Sequence, residues 1–479
     1  MKPSNSTIVF LAYCFLLVGI VAGKRSALDT SAGDAETIAH HYQTVKLSSF
    51  LSSSICSPSS KRDKKSISFE VVHKLGPCSK FSKKKLKAIT LEEILTRDQS
   101  RVDTIRSRLT TTSTTRKKVI NFKSSKATMP VKSGTTYDSG NYIVNVEIGT
   151  PKKNEQLILD SGSDLTWTQC QPCTGSCYTQ QEPIFNPSLS TTYSNIPCTS
   201  TACSMIPSAT GNLPGCSSST CVYGVQYGDG SYSVGKLAKD KLTLTNNETL
   251  DNFYFGCGVT NKGDYGTASG LLGLGNGKLS IVTQAAKRYG KVFSYCLPST
   301  DSASGHLTFG TSSTARKVQY TRLLSSQEGD TFYTVRLDSI TVSGKSIQMS
   351  PSNVILDTGT VITRLPLQAY SVLSKAFRAQ MMQYPLTKRV SILDTCYDMS
   401  NHTNVKIPKL TMVFSKDVGV VIPPQGILIA ASHTQVCFAF AGNENPSDPS
   451  IYGNVQQMTT EMVFDMNVGK VGFFRGGCD

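Results

Sequence analysis

From Tyr142 onward apolar side chains fall on alternate positions: Tyr142, Val144, Val146 and Ile148 alternate with Ile143, Asn145 and Glu147 before the turn Gly149-Thr150-Pro151. A period of two predicts a strand with one buried face. Short apolar runs bounded by Gly, Asn, Ser and Pro continue to the end of the chain, and only Leu279 to Tyr289 and Pro366 to Met382 carry helical spacing. This mix predicts an all-β body of antiparallel sheets with a few short helices. Upstream the period differs, since Leu91, Ile94, Leu95, Val102, Ile105 and Leu109 recur at helical spacing. Glu93, three residues after Thr90, completes a capping box, so a helix starts there. Its apolar face needs a partner surface.

The remaining N-terminal stretch is polar. Residues 24 to 66 are rich in Ser and read as poorly ordered, and Thr110 to Thr115 breaks the helical pattern. Arg116, Lys117 and Lys118 then offer an exposed processing site. At the start, Lys2 precedes an apolar run from Ile8 to Val21, followed by small Ala22 and Gly23. That arrangement predicts a signal peptide over residues 1–23, the run being too short and wrongly flanked for a membrane span. The end of the chain, Phe473 to Asp479, has no hydrophobic tail of the kind that precedes a lipid anchor.

Candidate chemistry comes from a near-duplication. Ile158-Leu159-Asp160-Ser161-Gly162-Ser163 is echoed by Ile355-Leu356-Asp357-Thr358-Gly359-Thr360. One such turn has little specificity, because Asp, Ser and Gly are ordinary turn residues. Two in the same context make a pair. Each is followed downstream by an apolar pair before Gly, in Gly270-Leu271-Leu272-Gly273 and in Ser450-Ile451-Tyr452-Gly453, so the body reads as two related lobes with a site between them. Two adjacent carboxylates hold one proton between them in an acidic window, and can both take a proton from water and give one to a carbonyl oxygen or leaving amine. Gly162 and Gly359 permit tight turns, and the hydroxyls of Ser161, Thr358, Ser163 and Thr360 are placed to hydrogen-bond around the carboxylates.

At these residues the chain resembles the pepsin-like aspartic peptidases, and most closely the plant nepenthesin-like branch with its apoplastic and chloroplast-nucleoid DNA-binding-like members. The resemblance runs from about Asn141 to Cys478. It implies a bilobal pepsin-like fold, in which Tyr227-Gly228-Asp229-Gly230-Ser231 is similar to the flap, Tyr227 closes over substrate and Trp167, seven residues after Asp160, supports that tyrosine. It also implies a propeptide over 24–134, an N-terminal lobe over 135–325 with a Cys-rich insertion at 170–221 and a flap at 223–235, and a C-terminal lobe over 326–479. Phe69-Glu70-Val71-Val72-His73-Lys74 and Leu91 through Leu109 resemble the propeptides of this branch. By the same resemblance Asp160 and Asp357 are the catalytic pair of a monomeric endopeptidase acting on polypeptides without metal or cofactor. Its own propeptide serves as intramolecular inhibitor, its lysines and helix covering the cleft while a basic side chain neutralises the ionised pair.

Twelve cysteines lie between Cys170 and Cys478, an even number that suits disulfides in an exported protein. Seven of them, Cys170, Cys173, Cys177, Cys198, Cys203, Cys216 and Cys221, fall between the first Asp turn and the flap, so one partner lies elsewhere; Cys257 is the natural candidate, with connectivity open. The resemblance pairs Cys396 with Cys437, leaving Cys296 and Cys478. A zinc site at Cys170, Cys173 and Cys177 is disfavoured by the lack of a second ligand pair. Asn247-Glu248-Thr249 and Asn401-His402-Thr403 are acceptable glycosylation sites, at Asn247 and Asn401, in a protein expected in the apoplast, with vacuole or chloroplast as alternatives.

The formal charge of +16 suggests nucleic acid until it is located. Between Lys24 and Thr135 there are 23 Lys and Arg against 9 Asp and Glu, whereas from Thr136 the counts are 25 and 24. The body is nearly neutral. DNA binding would therefore rest on the segment around Lys80, Lys83, Lys84, Lys85 and Lys87, which maturation removes. A non-catalytic binding or inhibitor protein on the same fold is the other alternative, and the presence of both aspartates argues against it. A serine or cysteine hydrolase lacks support, because His306, His402 and His433 sit in no nucleophile motif.

Overall fold

The computed structural model describes residues 41–51, 55–57, 67–74, 76–79, 90–111, 142–227, 230–245, 248–263, 265–300, 302–310, 318–324 and 331–478. The expected leader, the lysines between 80 and 87, the basic triplet 116–118, Gly228, Asp229 and Asn247 lie outside these residues. The body is mostly β, with two lobes. In the first, the strand Tyr142–Ile148 runs antiparallel to Lys153–Asp160, and its even-numbered side chains are buried as the alternation predicts. Lys153–Asp160 delivers Asp160 at its end and pairs in parallel with Gly270–Gly273, placing Leu159 opposite Leu272. The second lobe repeats this arrangement: Ser352–Leu356 leads to Asp357 and pairs in parallel with Ser450–Tyr452, placing Ile355 opposite Ile451. The two apolar-Gly segments are thus the parallel neighbours of the two Asp strands. Gly273 is required by close approach, because a Cβ there would lie 2.3 Å from the Asp164 carbonyl oxygen.

Each parallel segment also meets, antiparallel, the short strand that follows its Asp turn. Leu271 lies opposite Trp167, and Ile451 lies opposite Arg364. Trp167 and Arg364 are therefore repeat-related, each seven residues after its aspartate. The helical patterns appear as Ile281–Gln284 and Ala286–Tyr289, capped by Ser280, and as Leu367–Gln380.

The N-terminal residues are more structured than their composition suggests. Tyr42–Lys46 pairs antiparallel with Asn404–Pro408, so part of the Ser-rich stretch expected to be poorly ordered is a strand. Backbone groups supply this order, and the polar side chains hide it from a hydrophobic pattern. Ile67–His73 inserts between Ser304–Phe309 and the strand starting at Tyr142, burying Phe69 and Val71 in the core. The helix Leu91–Thr111 begins at the expected box: Thr90 N–H donates to Glu93 Oε2 at 2.9 Å, and Glu93 N–H to Thr90 Oγ1 at 3.2 Å. Leu91 and Leu95 pack with Val361, Ile362 and Ala439, while Val102 and Ile105 pack with Phe332, Ile355 and Ile451. Burying each such side chain contributes roughly 1.5–3 kcal/mol. Leu109 stays 37% exposed, so the apolar face ends before the helix does.

Candidate active site

The two Asp turns meet. Ser161 N–H donates to Thr358 Oγ1 and Thr358 N–H to Ser161 Oγ, both at 3.0 Å. The same hydroxyls donate across the pair, Thr358 to the Leu159 carbonyl at 3.1 Å and Ser161 to that of Leu356 at 3.3 Å. Ser161 and Thr358 thus bind one turn to the other rather than holding the carboxylates. That second task falls to the residues two further on. Ser163 Oγ donates to Asp160 Oδ2, and Thr360 Oγ1 donates to Asp357 Oδ2 at 2.6 Å. Gly162 and Gly359 N–H donate to the other oxygens, Asp160 Oδ1 and Asp357 Oδ1, at 3.0 and 3.1 Å. Both carboxylates are buried, and each is fixed by the same two kinds of donor.

One cation joins them. Arg101, on the N-terminal helix, places Nη2 at 2.7 Å from Asp160 Oδ1 and 3.0 Å from Asp357 Oδ1, while Nε lies 3.0 Å from Asp357 Oδ2. A Cβ on Gly162 would lie 2.2 Å from Arg101 Nη2 and 2.6 Å from Asp357 Oδ1, so a larger residue there would displace the cation or the carboxylate. Flanking residues of the helix reach either side. Asp98 accepts from the N–H groups of Val361 and Ile362 and pairs with Arg364. Arg108 donates to the carbonyls of Gly162 and Ala209, at 3.2 and 2.7 Å.

Above the pair, Thr220–Gln226 and Tyr232–Thr245 form an antiparallel hairpin, closed by Tyr227 N–H donating to the Ser231 carbonyl at 2.8 Å. Trp167 Nε1 donates to Tyr227 Oη at 3.0 Å. The resemblance placed these two aromatics together, and the geometry brings them into direct contact. Tyr265 completes the group, edge-on to Trp167 at 4.9 Å and to Tyr227 at 6.1 Å between ring centres. Nothing in the local sequence around Tyr265 marked it.

Comparison with known proteins gives a consistent result. Family models described as xylanase inhibitor N-terminal and C-terminal match residues 142–311 and 332–475. An aspartyl protease family protein of Arabidopsis thaliana is 48% identical over 93% of this chain and 94% of its own length. Aspartyl protease AED1 of the same plant is 44% identical over 91% and 92%, and aspartic proteinase nepenthesin-2 of Nepenthes gracilis is 36% identical over 73% and 80%. The chain belongs to the pepsin-like family of plant aspartyl proteases. Among solved structures, basic 7S globulin from soybean shares the fold, with a TM-score of 0.57 and 22% identity over 70% of this chain and 91% of that one.

In this aspartyl protease the charges of the site are strongly coupled. Burial alone would lower the Arg101 pKa, but Asp160 and Asp357 outweigh it and raise the value beyond its ordinary range. For Asp357, burial acts upward and is outweighed by the Arg101 charge and by hydrogen bonds from Arg101, Thr360 and Gly359, so its pKa is lowered. Arg108, buried with only carbonyls as acceptors, is shifted down chiefly by desolvation.

Asp164 is a further buried carboxylate that the sequence did not single out. It accepts from Thr331 Oγ1 at 2.7 Å and Gly277 N–H at 2.8 Å, and burial raises its pKa from 3.8 to about 6 despite those bonds. The folded protein holds this proton more tightly than the unfolded chain, so stability falls as pH rises from 3.8 to about 6. A shift of that size corresponds to about 3 kcal/mol. Urea unfolding at pH 4 and 7 is expected to show that loss, reduced in Asp164→Asn; an identical pH dependence in the variant refutes it.

The cysteines are settled by position. Cys170 bonds Cys257, Cys173 bonds Cys177, Cys198 bonds Cys216, and Cys203 bonds Cys221. Cys296 bonds Cys478 and Cys396 bonds Cys437. Cys170, Cys173 and Cys177, which cluster like zinc ligands, are all in these bridges. Cys56 with Cys78, a bridge within the N-terminal segment, was not anticipated. Asn401 is exposed on a loop, as a glycosylation site requires.

Proposed function

We propose that the chain is the zymogen of a secreted, monomeric aspartic endopeptidase in which Asp160 and Asp357 together activate water. The observation that carries the reading is the pair itself: two buried carboxylates on interlocked turns, reached by a single guanidinium nitrogen of Arg101. Without that cation, like charges so close resist joint ionisation and the pair keeps one proton in acid. The ionised member takes a proton from water as its oxygen attacks the peptide carbonyl carbon, and the protonated member donates to the carbonyl oxygen. The tetrahedral product then collapses as the leaving nitrogen receives a proton. Tyr227, held by Trp167, covers an extended polypeptide lying across the two turns.

In this reading residues 24–134 are the propeptide, and the helix Leu91–Thr111 lies where substrate must lie. The basic side chain expected to neutralise the pair is in this reading Arg101, whose planar fork suits two carboxylates at once. The pH dependence has a definite sign. Because Asp357 is depressed below 3.8 with the helix in place, the hold is complete above the pKa of the open pair and is lost as pH falls through the depressed value. Release therefore begins below about pH 5, where the open pair takes up its shared proton.

Purified precursor incubated from pH 7 to pH 3 is expected to lose its N-terminal segment toward acid, and to gain peptide hydrolysis that a statine-type transition-state mimic blocks. Processing that is faster at neutral pH and needs an added protease would count against self-activation. Insensitivity to the mimic would count against the two-aspartate mechanism. The inhibitor reading, suggested by the name of the matching family models, is disfavoured by the complete set of hydrogen bonds around both carboxylates. Secretion to the apoplast rests on the leader and on the seven disulfides.

A further inference from the structure

Seven residues after Asp160 stands Trp167, which holds the flap tyrosine. Seven residues after Asp357 stands Arg364, at the repeat-related place in the other lobe. The guanidinium is 2% exposed, a costly position for a charge without a partner. Its hydrogen bonds run to the N-terminal helix, Nη2 to Asp98 Oδ2 at 2.8 Å and Nη1 to Gln99 Oε1 at 2.9 Å. The buried Nε has no acceptor. The Asp98 carboxylate also takes the N–H groups of Val361 and Ile362, the latter at 3.2 Å, and these residues directly follow the second Asp turn. Asp98 lies three residues from Arg101 on the same helix, a rise of about 4.5 Å. A carboxylate therefore sits one helical turn from the pair, in a pocket made of a buried cation and two backbone donors.

We propose that this pocket is a specificity site of the mature enzyme, with Arg364 selecting substrates that carry an acidic side chain on one side of the cut bond. The inference rests on the reading that the helix Leu91–Thr111 leaves the cleft on maturation. Departure removes the counter-ion and both hydrogen-bond partners of Arg364 at once. A neutral substrate leaves the cation desolvated and unpaired, whereas an aspartate or glutamate side chain restores the arrangement that Asp98 makes in the precursor. Asp98 is then a built-in mimic of the preferred residue, as Arg101 is a plug for the pair. The free carboxylate at a peptide's C-terminus has the same chemistry, and amidated peptides separate the two sources.

The test uses mature enzyme and amidated peptides in which each position near the cut bond is varied between Glu and Gln and between Asp and Asn. The assay is run at about pH 5, where ordinary Asp and Glu side chains are ionised. At one position the acid is expected to give kcat/KM at least about tenfold above its amide, the size expected when a buried charge gains its partner. In Arg364→Gln that ratio falls to about one, and in Arg364→Lys, which keeps the charge without the fork, part of it remains. A wild-type ratio near one at every position overturns the proposal, as does an equal ratio in wild type and Arg364→Gln. Preference for a free C-terminus alone, lost on amidation, overturns the side-chain assignment. Should Arg364→Gln fail to fold, the wild-type scan and the lysine variant decide. A wild type that cleaves none of the peptides overturns the proteolytic reading and this inference with it; one that cleaves them indifferently overturns only this inference.

Discussion

In a precursor carrying Arg101→Gln, the helix Leu91–Thr111 is expected to open roughly 10²- to 4 × 10³-fold more often at pH 7 than in wild type. The estimate follows from removing one partner of a buried ion pair, which costs about 3–5 kcal/mol. Here the cost is concentrated, because among the described residues Arg101 alone bridges Asp160 and Asp357, and it is only 13% exposed. Glutamine keeps a donor amide but no charge, so two carboxylates are left facing a neutral group. The deficit depends on pH in a way that a packing defect would not. At neutral pH both carboxylates are ionised and the variant suffers fully; in acid the pair takes up its shared proton, and the two proteins converge. Amide hydrogen exchange across residues 91–111, followed from pH 7 to pH 4, measures this directly. Equal protection of variant and wild type at pH 7, or a difference that persists unchanged into acid, would refute the role given to Arg101. Lysine at this position is expected to fall between, since a compact ammonium cannot serve both carboxylates with two parallel bonds.

The site was legible in the sequence to the extent that it repeats. The Asp turns, their downstream apolar-Gly partners and the seven-residue step to Trp167 are local or near-periodic, and the parallel pairings of Leu159 with Leu272 and Ile355 with Ile451 realise that periodicity in space. The helix was legible through its box and its apolar face. Arg101 was not, because its meaning comes from a contact 256 residues away and three other arginines mark the same helix, Arg97, Arg106 and Arg108, none distinguished by spacing. The dense lysines between 80 and 87 drew attention to charge in bulk, whereas the structure uses one guanidinium. Asp98 and Arg364, separated by 266 positions, were invisible for the same reason. The repeat did offer a route to Arg364, by the same step that found Trp167, but an arginine where the other lobe has a tryptophan does not look like a repeat. Cys56 and Cys78 and the strand Tyr42–Lys46 were hidden by their polar surroundings, since backbone pairing leaves no hydrophobic trace.

Asp160→Asn and Asp357→Asn are each expected to lower kcat of the mature enzyme by about 10⁴, the upper range for loss of a positioned acid or base. The substitution is nearly isosteric, and the local bonds can survive it. An asparagine oxygen still accepts from Gly162 or Gly359 N–H, and the hydroxyl of Ser163 or Thr360 can rotate to accept from the new amide. The interlocking of Ser161 with Thr358 does not involve the carboxylates at all. Unfolding temperature should therefore stay close to wild type while turnover collapses, and that separation distinguishes chemistry from misfolding. Neither variant can process itself, so all proteins, wild type included, must be matured by the same added protease before comparison. The double variant supplies the stricter test. If the two carboxylates act as one unit sharing one proton, removing the second after the first costs almost nothing more. A double variant slower than either single by the product of their separate effects would mean that Asp160 and Asp357 act independently, and a single variant within tenfold of wild type would mean that its carboxylate does not take part.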